Sequence, residues 1–223
     1  MRAELPPTRL LSYTGVMFAG KRLLPAPHGQ LEAIYRPTRH DAERVALVLH
    51  PHPLYGGTMH NPVVFHCARA LQELGYETLR INFRGVGESS GEYAHGRGEV
   101  EDAHTALDFL LAAQPAARQV LVAGFSFGAA IGLELGCADP RVNQLLAIGT
   151  PAGHFDLRFL ARCSKAKLFV HGERDDVAPL AALQALLREL PQPADLRVLP
   201  GGSHFFEGQL DALREAILAG LGS

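Results

Sequence analysis

The strongest constraint on this chain is its alternation of short, nearly unbroken apolar runs with stretches of helical period. Residues 44–50 (RVALVLH), 119–124 (QVLVAG) and 167–171 (KLFVH) are apolar at almost every position. A strand with one wet face alternates apolar and polar, so unbroken runs describe strands covered on both faces. Between them, apolar residues recur at helical spacing over residues 61–74 (closed by Gly75), 98–113, 127–137, 179–190 (opened by a proline) and 206–221. Further strands are expected over residues 15–18, 30–36, 77–83, 144–148 and 196–199, with residues 24–29 turning between the first two. Strands separated by helices join parallel neighbours through right-handed crossovers. The fold class is therefore α/β, a mostly parallel sheet of about eight strands flanked by helices. Ligands of such sheets bind at the carboxyl ends of the strands.

No repeat, linker or low-complexity tract interrupts the pattern, and residues 1–223 read as one domain. Apolar residues are 47% and charged residues 20%, close to a soluble average, and the net charge of -2 calls for neither nucleic acid nor an anionic membrane. No stretch approaches 18 uninterrupted apolar residues, and residues 1–11 lack an apolar run of signal-peptide length. Cys67, Cys137 and Cys163 are odd in number and without CxxC spacing, the pattern of reduced thiols. A cytoplasmic protein that uses no metal or cofactor is expected. The sequence leaves room for a homodimer through an edge strand or the surface beside the motif described next.

Gly124-Phe125-Ser126-Phe127-Gly128 matches GxSxG. The bare motif is weak, and Ser126 alone could be an ordinary helix N-cap. Its setting is stronger, because it begins where a buried strand ends and opens a helix rich in Gly and Ala. That is the strand–turn–helix context of a nucleophile elbow, which holds a serine in a strained, exposed turn. Two other segments invite different readings. His50-Pro51-His52 could be a metal pair, but the remaining ligands would have to come from elsewhere, and the nearby His66 (unlike His60) should lie on a helix face. Arg84-Gly85-Val86-Gly87-Glu88-Ser89 follows a strand, yet it has no Gly-Lys-Ser/Thr and no third glycine, so it reads as a structural turn.

Three segments, HPHPLYGGTMHNPVV from His50, INFRGVGESSGEY from Ile81 and GFSFGAAIGLELG from Gly124, carry a family likeness in this order and spacing. Together they resemble the α/β-hydrolase superfamily and, within it, a group of small, lidless bacterial hydrolases. That group is known mostly as predicted carboxylesterases of dienelactone-hydrolase-like shape. The resemblance runs from about Leu31 to the end. Two departures stand out. Many superfamily members carry Asp where this chain has Asn82, which is expected to cost local hydrogen bonding rather than activity. Dienelactone hydrolases proper use a cysteine nucleophile, and no cysteine stands at this elbow.

The resemblance implies a triad in the chain order nucleophile, acid, histidine. The spacing Gly172-x-x-Asp175-x-x-x-Pro179 resembles the superfamily's acid loop and favours Asp175. Asp176 is the alternative acid, with capping of the helix near Pro179 as its plainer role. His204, between the last strand and the last helix, is the only histidine after the acid loop. Of the oxyanion donors, one is expected at the N–H of Phe127 and the other in the loop after residues 44–50. Pro51 and Pro53 have no N–H, which leaves His52 or Leu54, with His52 favoured. Residues 150–166 are too short to carry a cap domain, so the site should be open, with Tyr55, Phe127, Phe155, Phe205 and Phe206 lining it. The expected partner is a small-molecule acyl substrate, an ester or thioester, cleaved through an acyl-enzyme. A serine peptidase or amidase and a non-catalytic binding module of the same fold are the alternatives.

Overall fold

A computed structural model describes residues 19–38 and 43–222 of the chain. Eight strands form one sheet: β1 (Gly20–Ala26), β2 (Gly29–Arg36), β3 (Arg44–Leu49), β4 (Glu77–Ile81), β5 (Gln119–Phe125), β6 (Gln144–Ile148), β7 (Ala166–Gly172) and β8 (Ala194–Leu199). Their order is β1-β2-β4-β3-β5-β6-β7-β8. β2 runs antiparallel to both β1 and β4, and every pairing from β4 to β8 is parallel. Among the described residues five helices cover it: α1 (Pro62–Glu73), α2 (Arg97–Ala113), α3 (Phe127–Ala138), α4 (Leu180–Leu187) and α5 (Leu210–Leu221).

The unbroken apolar runs are explained by two separate cores. Successive side chains of a strand point to opposite faces. Val45, Leu47 and Leu49 of β3 join the core under α2, α3 and α4, while Ala46 and Val48 join the one under α1 and α5. A residue at either kind of position in β3 is buried, and its run is accordingly apolar on both faces. Among the described residues no helix is long and apolar enough to cross a membrane.

Several boundaries depart from expectation. The strand expected over residues 15–18 lies outside the described residues. The turn expected over 24–29 is shorter, because Leu24, Pro25 and Ala26 pair with Leu31, Gln30 and Gly29. Pro25 lacks an N–H, but β1 is an edge strand, where no ladder bond is lost. The last helix starts at Leu210 rather than 206, since Phe206 has a φ of 54° and Gly208 one of 71°. Neither angle belongs to a right-handed helix. Two 3₁₀ turns, Pro53–Tyr55 and Arg158–Arg162, have no counterpart among the expected elements. Between β6 and β7 the chain makes only the second of these turns, and no cap domain is inserted there.

Candidate active site

The elbow turns where β5 gives way to α3. Ser126 has φ 54° and ψ -117°, a conformation that costs a non-glycine residue on the order of 1–3 kcal/mol. Its N–H is held by the Ile148 carbonyl of β6 at 2.9 Å. The flanking glycines are required by close approach. A Cβ on Gly124 would overlap the Gly128 carbonyl, and one on Gly128 would overlap the carbonyls of Leu49 and His50. Ser126 occupies the N-cap position but its side chain caps nothing. Its hydroxyl lies instead 3.0 Å from His204 Nε2.

His204 Nδ1 is 2.7 Å from Asp175 Oδ2. A carboxylate only accepts, so the imidazole proton sits on Nδ1 and Nε2 is left to accept from the Ser126 hydroxyl. Asp175 Oδ1 takes the N–H groups of Val177 at 3.0 Å and Ala178 at 2.6 Å. Burial works to raise the Asp175 carboxyl, but the bonds from His204 and the Ala178 N–H outweigh it and hold the group below the usual carboxylate range. Asp176 is exposed. The capping role expected of it is not seen, because α4 begins after Pro179 with no side-chain cap and Asp175 itself binds the free N–H groups of the loop.

The loop after β3 presents the second candidate donor. His52 caps the 3₁₀ turn Pro53–Tyr55, and its Nδ1 accepts the Leu54 N–H at 3.2 Å. Leu54 is thereby engaged. Among the described residues the N–H groups of His52 and Phe127 have no acceptor, so these two are free for an oxyanion. With Nδ1 accepting, His52 Nε2 carries the proton and donates to Tyr93 Oη at 3.2 Å. The imidazole packs against Tyr55, Tyr93 and Phe127 with ring centroids 4.8–4.9 Å apart, and burial lowers its proton affinity. Tyr93 joins the site without having been expected there. Its one signal in the sequence is an aromatic residue closing the Gly- and Ser-rich stretch after β4.

His50 is fully buried and bonded through both nitrogens, Nδ1 to the Pro51 carbonyl at 2.6 Å and Nε2 to the Phe83 N–H at 3.0 Å. Burial pushes it down to about 4, so it is neutral at pH 7. Its Nε2 lone pair is spent on Phe83, which rules against the metal-pair reading. Arg84 forks onto the buried Asp102 and its N–H bonds the same carboxylate, as a structural turn would. Asn82 corrects the expectation of lost hydrogen bonding. Its Oδ1 accepts the Met59 N–H at 2.8 Å and its Nδ2 donates to Glu32 at 2.8 Å.

The expected lining residues divide. Tyr55 (87% exposed) and Phe205 (48%) lie at a rim, with Phe205 edge-on to the His204 ring at 5.1 Å, and Leu54 (66%), expected only as an alternative oxyanion donor, is exposed beside Tyr55. Phe155 is half-buried and edge-on to the buried Phe127 at 5.8 Å. Phe206 is a correction, because it is 0% exposed and packs in the core under α1 and α5. In the left-handed conformation it leaves its neighbour Phe205 at the rim and takes the interior place itself.

Residues 43–168 match the family model described as serine aminopeptidase, S33. The Rickettsia prowazekii protein RP471 is 38% identical over 199 residues, covering 86% of this chain and 84% of its own. Among solved structures, a protein of unknown function from Agrobacterium tumefaciens, ATU1826, is 37% identical with a TM-score of 0.87, over 91% of this chain and 94% of that one. XC6422 from Xanthomonas campestris, described as a serine hydrolase without lid, is 34% identical with a TM-score of 0.86, over 92% and 94%.

Proposed function

The chain belongs to the α/β-hydrolase superfamily, within the family described as serine aminopeptidase, S33, and from that premise we propose that it cleaves a carboxylic ester or thioester through an acyl-enzyme. The observation that carries this reading is the unbroken row from Ser126 Oγ through His204 to Asp175, with hydrogen bonds of 3.0 and 2.7 Å. A serine hydroxyl is a poor nucleophile until an adjacent base takes its proton. His204 Nε2 takes it as Oγ attacks the acyl carbon, and Asp175 steadies the imidazolium and fixes its tautomer. The developing oxyanion is met by the N–H groups of Phe127 and His52, each worth about 3 kcal/mol. His204 then protonates the leaving group, and water, activated by the same base, releases the acid.

An open rim of Leu54, Tyr55 and Phe205 supports a neutral, partly apolar small-molecule substrate. A peptidase or amidase is the second reading, favoured by the description of the matched family. Against it stands the short β6–β7 connection, which carries no domain to select peptide ends. The test is hydrolysis of p-nitrophenyl esters of graded chain length beside aminoacyl p-nitroanilides. Ester turnover that vanishes in Ser126→Ala supports the proposal. Cleavage of anilides alone would transfer it to the peptidases, and no turnover of either class by folded protein would refute it.

A further inference from the structure

Strand β7 brings a second histidine against the acid. His171 is 0% exposed, and its Nε2 lies 2.7 Å from the Ala178 carbonyl oxygen and 3.4 Å from Asp175 Oδ2. A carbonyl can only accept, so the His171 proton sits on Nε2. The Ala178 N–H in turn donates to Asp175 Oδ1. His171 thus grips one end of the residue whose other end grips the acid. It also stands beside the very oxygen that receives the His204 N–H.

The other nitrogen of His171 is as informative. Nδ1 is buried without a partner among the described residues. A second proton placed there would have no acceptor, and burial lowers the proton affinity of the ring despite the pull of Asp175. The titratable groups facing it are Asp175 and His204. A cationic His171 would contest Asp175 with His204, whereas a neutral one supports it without drawing off its charge.

We propose that His171 is a positioning residue, a neutral Nε2–H donor that holds the acid loop closed and so aims the Asp175 carboxylate at His204. The inference rests on the hydrolase reading above and goes beyond it by placing part of the catalytic geometry outside the triad. His171→Gln keeps an N–H donor near Ala178, and His171→Leu keeps bulk without one. With an ester that the wild type turns over, His171→Leu is expected to lose about ten- to a hundredfold in kcat with KM within about twofold. His171→Gln should recover most of that loss. The low-field proton resonance of the His204–Asp175 hydrogen bond should persist in wild type and His171→Gln and fade in His171→Leu.

A folded His171→Leu with wild-type kcat and an unchanged resonance would overturn the proposal, as would equal losses in both variants. Should the leucine variant fail to fold, ¹⁵N shifts of His171 in the wild type decide. A ring protonated on Nε2 alone between about pH 6 and 8 supports the proposal, and a cationic or Nδ1-protonated ring overturns it. A wild type that cleaves no substrate refutes the hydrolase reading, and the ¹⁵N shifts then still decide the protonation of His171 on their own.

Discussion

Two buried aspartates, Asp175 and Asp102, look alike in isolation and differ in what they can do. Asp175 accepts two backbone N–H groups and Asp102 one, and each also takes one strong side-chain donor. Asp102 faces the Arg84 guanidinium at 2.8 Å. That group never gives up its proton near neutrality, so the pair is a fixed clamp between α2 and the turn after β4. Asp175 faces an imidazole, which can gain and lose a proton and which touches Ser126 on its far side. Burial and hydrogen bonding do not separate a candidate catalytic carboxylate from a structural one. The partner's capacity to exchange a proton does.

The contrast breaks most visibly under substitution. Ser126→Ala is expected to lower kcat by about 10⁴- to 10⁶-fold, and Asp175→Asn by about 10⁴-fold because the wrong imidazole tautomer results. Neither should unfold the protein, which circular dichroism and thermal melting would check. Asp102→Ala should do the reverse. Stranding the Arg84 guanidinium costs about 3–5 kcal/mol in urea titration, while the kcat of the remaining folded protein stays within a few-fold. A large loss of kcat in folded Asp102→Ala would erase the distinction.

Acid sharpens it further. The Asp175 carboxyl is held below its ordinary range in the folded protein, so its stabilisation is fully present above the ordinary value of about 3.9 and is lost as pH falls through the depressed folded one. The gap in stability between wild type and Asp175→Asn should therefore narrow between about pH 6 and pH 3. Urea midpoints at the two ends would show it, and a gap that widened would contradict the assigned sign.

The smallest effect belongs to Tyr93. Tyr93→Phe deletes one neutral bond to His52, worth about 0.5–1.5 kcal/mol, so kcat/KM should fall about two- to tenfold with no change in which esters are preferred.

The candidate triad is legible in the sequence because Ser126 and Asp175 follow apolar strands and the chain order implied by the resemblance leaves one histidine, His204, after the acid loop. The choice of oxyanion donor is half legible. Proline's missing N–H removes two candidates, but the engagement of Leu54 depends on how the His52 ring folds back, which no pattern encodes. Phe205 and Phe206 look identical in sequence, and only the positive φ of Phe206 sends one to the rim and the other inward. The repair at Asn82 is illegible because its partner Glu32 is 50 residues away on a neighbouring strand. His171 escapes notice for another reason, since it ends an apolar strand and its partner is a backbone carbonyl in the following loop.

The proposed mechanism requires that Ser126 be acylated during turnover. Reaction with a fluorophosphonate, followed by intact-mass and peptide mass spectrometry, tests it directly. One adduct per chain is expected, on the peptide containing Ser126, with none on Ser126→Ala or on protein whose His204 is replaced by alanine. Folded wild-type protein that takes no label, or takes it on another residue, would contradict the claim.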